Sequence, residues 1–335
     1  MIRFAWLQFR AQAAVALGAL AVVAAALALT GPHLVHLYST SGIAACRPDA
    51  DCGSLTTRFL NQVSAGFTDK FLQGFGVVVA AVPALAGIFW GAPLITRELE
   101  TGTYRLAWTQ SVTRRRWLAV KLGLVGLAGM ATAGLLSLML TWWFRPLDLA
   151  SMNRLTLTVF GERGIAPVGY AAFAFALGVT LGMLIRRTLP AMAATLAAFI
   201  AVRLAVTYWV RPHLIAPVHA TAKVIASLPG GGMKLWPAAG PHGPMGLPVT
   251  ISRGAWVYSI QRVNAAGQVV RPVFSTACQR SPAALRACHA GYHQVVSYQP
   301  ASRFWAFQWY ETAIFLGLGL ILAGLCFWWL RRRLA

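Results

Sequence analysis

Glu98 and Glu100 share a short stretch with Arg97, Arg105 and the run Arg114–Arg116, in a 335-residue chain of which only 11% is charged. Carboxylates and guanidinium groups at that density form charge-assisted hydrogen bonds. They close either within the loop, onto Arg97 and Arg105, or across to basic residues of another protein. A second pair of ionisable groups lies in apolar surroundings: Arg203 interrupts an uncharged run and Glu311 opens another. An ionisable residue at such a position marks a polar site inside a membrane protein. The two can pair with each other, or Arg203 can extend its guanidinium to the interface. A third group comprises Cys46 with Cys52 and Cys278 with Cys288, two close pairs suited to local disulfides in an oxidising compartment. Zinc ligation by the same residues, helped by His289 and His293, is the alternative, although neither pair has the short spacing of structural zinc sites. No nucleophile–base set or paired carboxylates lie in the apolar runs, so enzyme chemistry has no visible residues there.

The elements that must position these groups follow from charge gaps. With 58% hydrophobic residues and so little charge, lipid is the solvent that the composition fits. About 20 uncharged residues are needed for one crossing. No charged residue falls between Arg10 and Cys46, Lys70 and Arg97, Lys121 and Arg145, Arg163 and Arg186, or Glu311 and Arg331; residues 188–210 contain only Arg203. The chain is therefore expected to be an all-α integral membrane protein. Its six spans are 11–36, 71–95, 117–144, 165–185, 189–210 and 307–330, with a tight turn at Arg186–Arg187 and Pro83 and Pro190 as kinks. Residues 1–10, carrying Phe4, Trp6 and Phe9, read as a retained amphipathic lead-in on the membrane surface rather than a cleaved signal.

Orientation comes from the basic residues at the span ends. With both termini in the cytoplasm, that side holds Arg3, Arg10, the loop arginines, Lys121, Arg186, Arg187 and the tail Arg331–Arg333. The short outer loops hold about half as many. The cysteine pairs and all the histidines then fall outside. The expected organisation is thus a lead-in over 1–10 and five spans over 11–210 with a cytoplasmic loop over 96–116. An extracellular cap over 211–302 follows, pinned by Cys278–Cys288, and then a last span and basic tail over 303–335. The cap carries no Asp or Glu. Within it, WVYSIQRV, NAAG and QVVRPVF alternate as strand, turn and strand, and residues 282–288 read as a short helix. Gly123, Gly126 and Gly129 in the third span and Gly178 and Gly182 in the fourth let helices approach closely, most simply within one chain.

In the charged loop, the second span is expected to end near Pro93. Gly102 turns the chain, Thr103 caps a short helix carrying Tyr104, Ala107 and Trp108 on one face, and Ser111 or Thr113 opens the third span. The run R-E-x-E-x-G-T-Y-R-L, followed by S-V-T-R and Lys121, resembles the loop after the second helix of ABC-2 type permeases, the membrane subunits of ABC exporters. The segment YQPASRFWAFQWYE before the last span is similar to actinobacterial members. The likeness covers nearly the whole chain, departing where Gln110 precedes Ser111 in place of a proline common among relatives. It implies that the loop is a coupling helix docking on an ATPase, with contacts from Arg97, Glu98, Glu100, Gly102, Thr103, Tyr104, Arg105 and Leu106.

The chain has no G-x-x-x-x-G-K-[ST] phosphate loop. No cofactor is therefore expected on it; ATP and Mg belong to a partner ABC ATPase, present in two copies beside a second permease chain, most simply an identical one. The substrate that the resemblance implies is a small amphipathic or hydrophobic compound. The net charge of +21 is scattered over span ends on both sides, which fits membrane lipids rather than nucleic acid. Two other readings compete. An ion-gradient transporter requires carboxylates within the spans, and none lies between the charges that bracket them. A receptor or assembly factor requires a partner for the cap and no ATPase contact.

Overall fold

The computed structural model describes residues 2–45, 53–65, 76, 78–102, 113–150, 154–223, 255–270 and 293–332. The four cysteines expected in disulfides (Cys46, Cys52, Cys278 and Cys288), the coupling residues Thr103, Tyr104, Arg105 and Leu106, and the helix expected over 282–288 lie outside the described residues.

Six helices are long and apolar enough to cross a membrane, which makes this a multi-pass membrane protein. They are α1 (Ile2–Thr40), α2 (Val78–Thr101), α3 (Arg114–Trp143), α4 (Ala166–Ile185), α5 (Thr188–His213) and α6 (Phe304–Arg332). Shorter helices, Gly53–Ala65, Arg145–Leu149 and Leu157–Phe160, lie in the connections. The end of the bundle that carries the chain termini is called near, and the opposite end far. The chain divides into a helical unit, Met1–Met152 with Leu157–Leu214 and Trp305–Ala335, and a smaller unit, Asn153–Thr156 with Ile215–Phe304.

Within the helical unit α4 is the hub. Its most apolar window is 72% buried, against 11% for α1 and 22% for α5 and α6. Glycine explains how α2 comes so close to it. A Cβ on Gly178 would lie 2.3 Å from the Gly87 carbonyl oxygen, and one on Gly91 would lie 2.6 Å from that of Phe175. The backbones touch, as small residues permit in lipid. Gly182 meets Ala92 and Gly126 meets the Phe175 ring, whereas Gly123 faces nothing within 4 Å. At this crossing α2 widens into a π-helical turn, Ala86–Gly91, one turn after Pro83, whose missing N–H already interrupts the ladder. At the far end Trp143 donates its indole N–H to Thr30 Oγ1 at 3.0 Å, tying α3 to α1.

Three expectations are corrected. The lead-in is not separate: α1 runs unbroken from Ile2, since its first turns contain neither glycine nor proline and are rich in alanine. At 39 residues it extends about 58 Å, well beyond the hydrocarbon thickness. The second helix does not stop near Pro93. It continues to Thr101 and closes at Gly102, whose φ of +70° is the left-handed cap that glycine supplies. Pro190 falls in the first turn of α5, where no helical bond is lost, so it kinks nothing. The turn at Arg186–Arg187 and the cap of α3 by Thr113 are as expected, with the Arg116 N–H donating to Thr113 Oγ1 at 3.4 Å.

The smaller unit is a three-stranded antiparallel sheet: β1 (Val218–Lys223), β2 (Trp256–Val263) and β3 (His293–Gln299), in the order β1-β3-β2. The strand WVYSIQRV is β2, and the turn after it is held by Asn264 Oδ1, which accepts from the Ala266 and Gln268 amides. Gln299 donates to the Ile215 carbonyl and accepts from Arg303, so polar side chains join the two ends of the unit.

Candidate functional site

Polar chemistry gathers at both ends of the helical unit. At the near end, Glu98 and Glu100 stand on the last turn of α2. Residues two apart on a helix diverge by about 200°, so their side chains leave on opposite sides. Glu98 bonds to Lys121 Nζ of α3. Lys121 is only 4% exposed and lies over the Trp117 ring at 4.8 Å. Glu100 goes the other way, to Thr188. It accepts the Thr188 amide at 2.8 Å, and its other oxygen lies 2.7 Å from Thr188 Oγ1. Thr188 opens α5, and the first amides of a helix have no partner within it; Glu100 supplies one from another helix. Thr188 Oγ1 also lies 3.0 Å from Thr96 Oγ1 on α2. One carboxylate thus holds the end of α2 to α3 and the next holds it to α5. Arg97 is exposed and close enough to act on Glu100, and Arg105 lies outside the described residues.

At the far end, Glu311 of α6 and Arg211 of α5 form a two-point pair, Nε to Oε2 at 2.7 Å and Nη2 to Oε1 at 2.9 Å, fully buried. Tyr170 of α4 donates its hydroxyl to the same carboxylate. The Arg211 guanidinium covers the Phe160 ring at 4.2 Å. The pairing of Glu311 with Arg203 is therefore not made. Between Arg203 and Arg211 the helix passes through a second π-helical turn, Val206–Val210. A wider turn alters the rotation of everything after it, and Arg211 is the residue that reaches Glu311. Nor does Arg203 extend to the interface. It lies over the Tyr170 ring at 4.3 Å and presses Nη2 against Gly161, where a Cβ would be 2.3 Å away.

The residue that sequence reasoning missed is Gln308, one turn before Glu311 on the same face of α6. Its oxygen accepts the Ile165 and Ala166 amides, which begin α4, at 3.0 and 2.8 Å; its nitrogen donates to the Phe160 and Arg163 carbonyls, both at 3.0 Å. Gly164, at φ +78°, makes room, because a Cβ there would lie 2.7 Å from the Gln308 oxygen. The only signal in the sequence is a lone glutamine inside the aromatic run FWAFQWYE. Beside it Arg163 pairs with Asp148 at 2.9 Å. Glu162, 8% exposed, has its carboxyl pushed up to about 6 by burial, against the pull of Arg163 and Arg203.

Among the described residues no three His, Cys, Asp or Glu side chains converge as metal ligands would. A family model described as ABC-2 membrane transporter related matches residues 17–211, more than half of the chain, taking in most of α1 and all of α2, α3 and α4. No curated protein and no solved structure matches.

Proposed function

The chain belongs to the ABC-2 membrane transporter related family, and on that premise we propose that it is the permease subunit of an ABC exporter. It lies in the cytoplasmic membrane with its near end in the cytosol. Two copies work with two ATPase subunits that carry ATP and Mg, and the load is a small amphipathic or hydrophobic compound. The observation that supports this reading best is at the end of α2. The end of α2, which leads into the charged segment, is tied by Glu98 to α3 and by Glu100 to α5. Force applied to residues 103–112 therefore reaches α2, α3 and α5 together. Closure of two ATPase subunits on ATP would pull this segment, tilt the helices and open the bundle outward, a rigid-body transition. In this reading Tyr104, Arg105 and Leu106 supply the docking contact, while the two glutamates act inside the chain. The cap, which begins after α5, sits outside, pinned by Cys278 and Cys288, with Cys46 and Cys52 joined in the first outer loop.

Purification from the native membrane in mild detergent, with identification of what comes along, tests the reading. A soluble nucleotide-binding subunit should accompany the parent chain and be lost from Tyr104→Ala and Arg105→Glu. If no such subunit appears, or if both variants retain it with full ATPase activity, the docking assignment fails.

A further inference from the structure

Among the described residues at the far end, two acid–base pairs form and two charged groups stand outside them. Arg163 holds Asp148 and Arg211 holds Glu311; Arg203 and Glu162 remain, close enough to act on each other but joined by no ion pair. Arg203 Nη1 is buried with no hydrogen-bond partner. Its Nη2 lies against Gly161, the residue next to Glu162. The Glu162 carboxyl rests elsewhere, on Gly76, where a Cβ would lie 3.0 Å from Oε1 and 3.3 Å from Oε2. Buried ionisable groups that lack a partner are costly. Glu162 is buried and Arg203 half-buried, so an acid and a base lying this close without pairing are held apart by something. Gly76 lies two residues before Val78, where α2 begins. Glu162 is therefore seated on backbone at the far end of the same helix whose near end carries the coupling segment.

We propose that Glu162 and Arg203 form a latch, held open while Glu162 rests on its seat at Gly76 and closed into an ion pair when the far end of α2 carries that seat away. The movement of α2 is taken from the permease reading above; the open pair is not. Closing the latch gives Arg203 Nη1 its acceptor and joins α5 to the segment between α3 and α4, so a displaced α2 leaves behind a bonded far end. Among the described residues two charged groups act on Glu162, Arg163 from its own segment and Arg203 from α5, while Gly76 brings none from α2.

The test uses the chain alone in detergent, following the thermal midpoint from pH 4 to 8. Because burial raises the Glu162 carboxyl to about 6, the folded state favours its protonated form. Stability is then complete below the ordinary carboxylate value and declines as pH rises through about 6. The parent midpoint should fall over that range, while Glu162→Gln stays flat and lies above the parent at pH 8. Gly76→Ala fills the seat with a methyl group, so that the displaced carboxyl is free to pair with Arg203. Its decline should vanish from the range around pH 6 and return when Arg203→Gln is added. The latch is refuted if Gly76→Ala titrates like the parent, or if Glu162→Gln lowers the midpoint at pH 8, which would mean that the pair is already closed. Should Gly76→Ala fail to fold, Arg203→Gln in the parent decides. An open pair predicts only a further upward move of the decline; a closed pair predicts lower midpoints at pH 8 for both single variants. No arm contains an ATPase, so these outcomes are separate from those that judge the permease reading.

Discussion

At the level of single residues, the far end shows how a membrane bundle accommodates charge. Arg211 and Glu311 are both fully buried, so each is tolerable only because of the other. Glu311→Gln should cost about 3–5 kcal/mol, the range for breaking a buried pair, because Arg211 is left charged and unmatched. Arg211→Met together with Glu311→Leu should cost less than either single change, since no charge is then stranded, although Tyr170 loses its acceptor. Thermal unfolding of these variants in detergent checks the order; a double variant weaker than both singles would show that the pair itself, and not the stranded charge, sets stability. Much of this cluster was beyond sequence reasoning. Glu311 and Arg203 were recognisable as charges in apolar runs. The partner was not, because the π-helical turn at Val206–Val210 has no pattern of its own and decides whether Arg203 or Arg211 faces α6. Gln308 gave no warning either, since its four bonds run to backbone groups that lie more than 140 residues away in the chain.

At the level of helices, the spans were legible because lipid imposes one rule on all of them: a long uncharged run with its backbone satisfied internally. Their ends were less so. Charge alone suggested that α2 stops near Pro93, but Lys121 and Thr188 provide partners for the two glutamates, and the helix continues to Gly102. Of the sheet, only β2 was anticipated. Its neighbour β3 pairs with strands on both sides across long stretches of sequence, and such pairing leaves no local trace. The glycines separate by environment. Gly178→Ala would drive a methyl group to 2.3 Å from the Gly87 carbonyl, so α2 and α4 must part, at a cost of about 1–3 kcal/mol by analogy with overpacked cores. Gly123→Ala meets nothing within 4 Å and should gain up to about 1 kcal/mol of helix stability. A fall in thermal midpoint for the first and none for the second checks this. Equal losses would place another surface, such as a second copy, against Gly123.

For the molecule as a whole, the open question is how an external push crosses the bundle. The end of α2 is fastened twice, and the two fastenings differ in character. Glu98 and Lys121 are largely shielded from solvent, whereas the Glu100–Thr188 contact is exposed and acts through the first amide of α5. A buried tie holds geometry; an exposed one can be released and remade during a cycle. Glu100→Ala removes the tie to α5 while leaving residues 103–112 unchanged in sequence. If Glu100 works inside the chain, this variant should still co-purify with the ATPase subunit, and ATPase activity in the complex should lose several-fold of its response to added substrate. Thr188→Val should show the same separation of binding from response, more weakly, because the amide still reaches Glu100. Tyr104→Ala should instead lose the subunit outright. Were Glu100→Ala to lose it as well, the glutamate would be a docking contact in its own right. The movement of α2 would still reach α5 through the contact of Thr96 with Thr188.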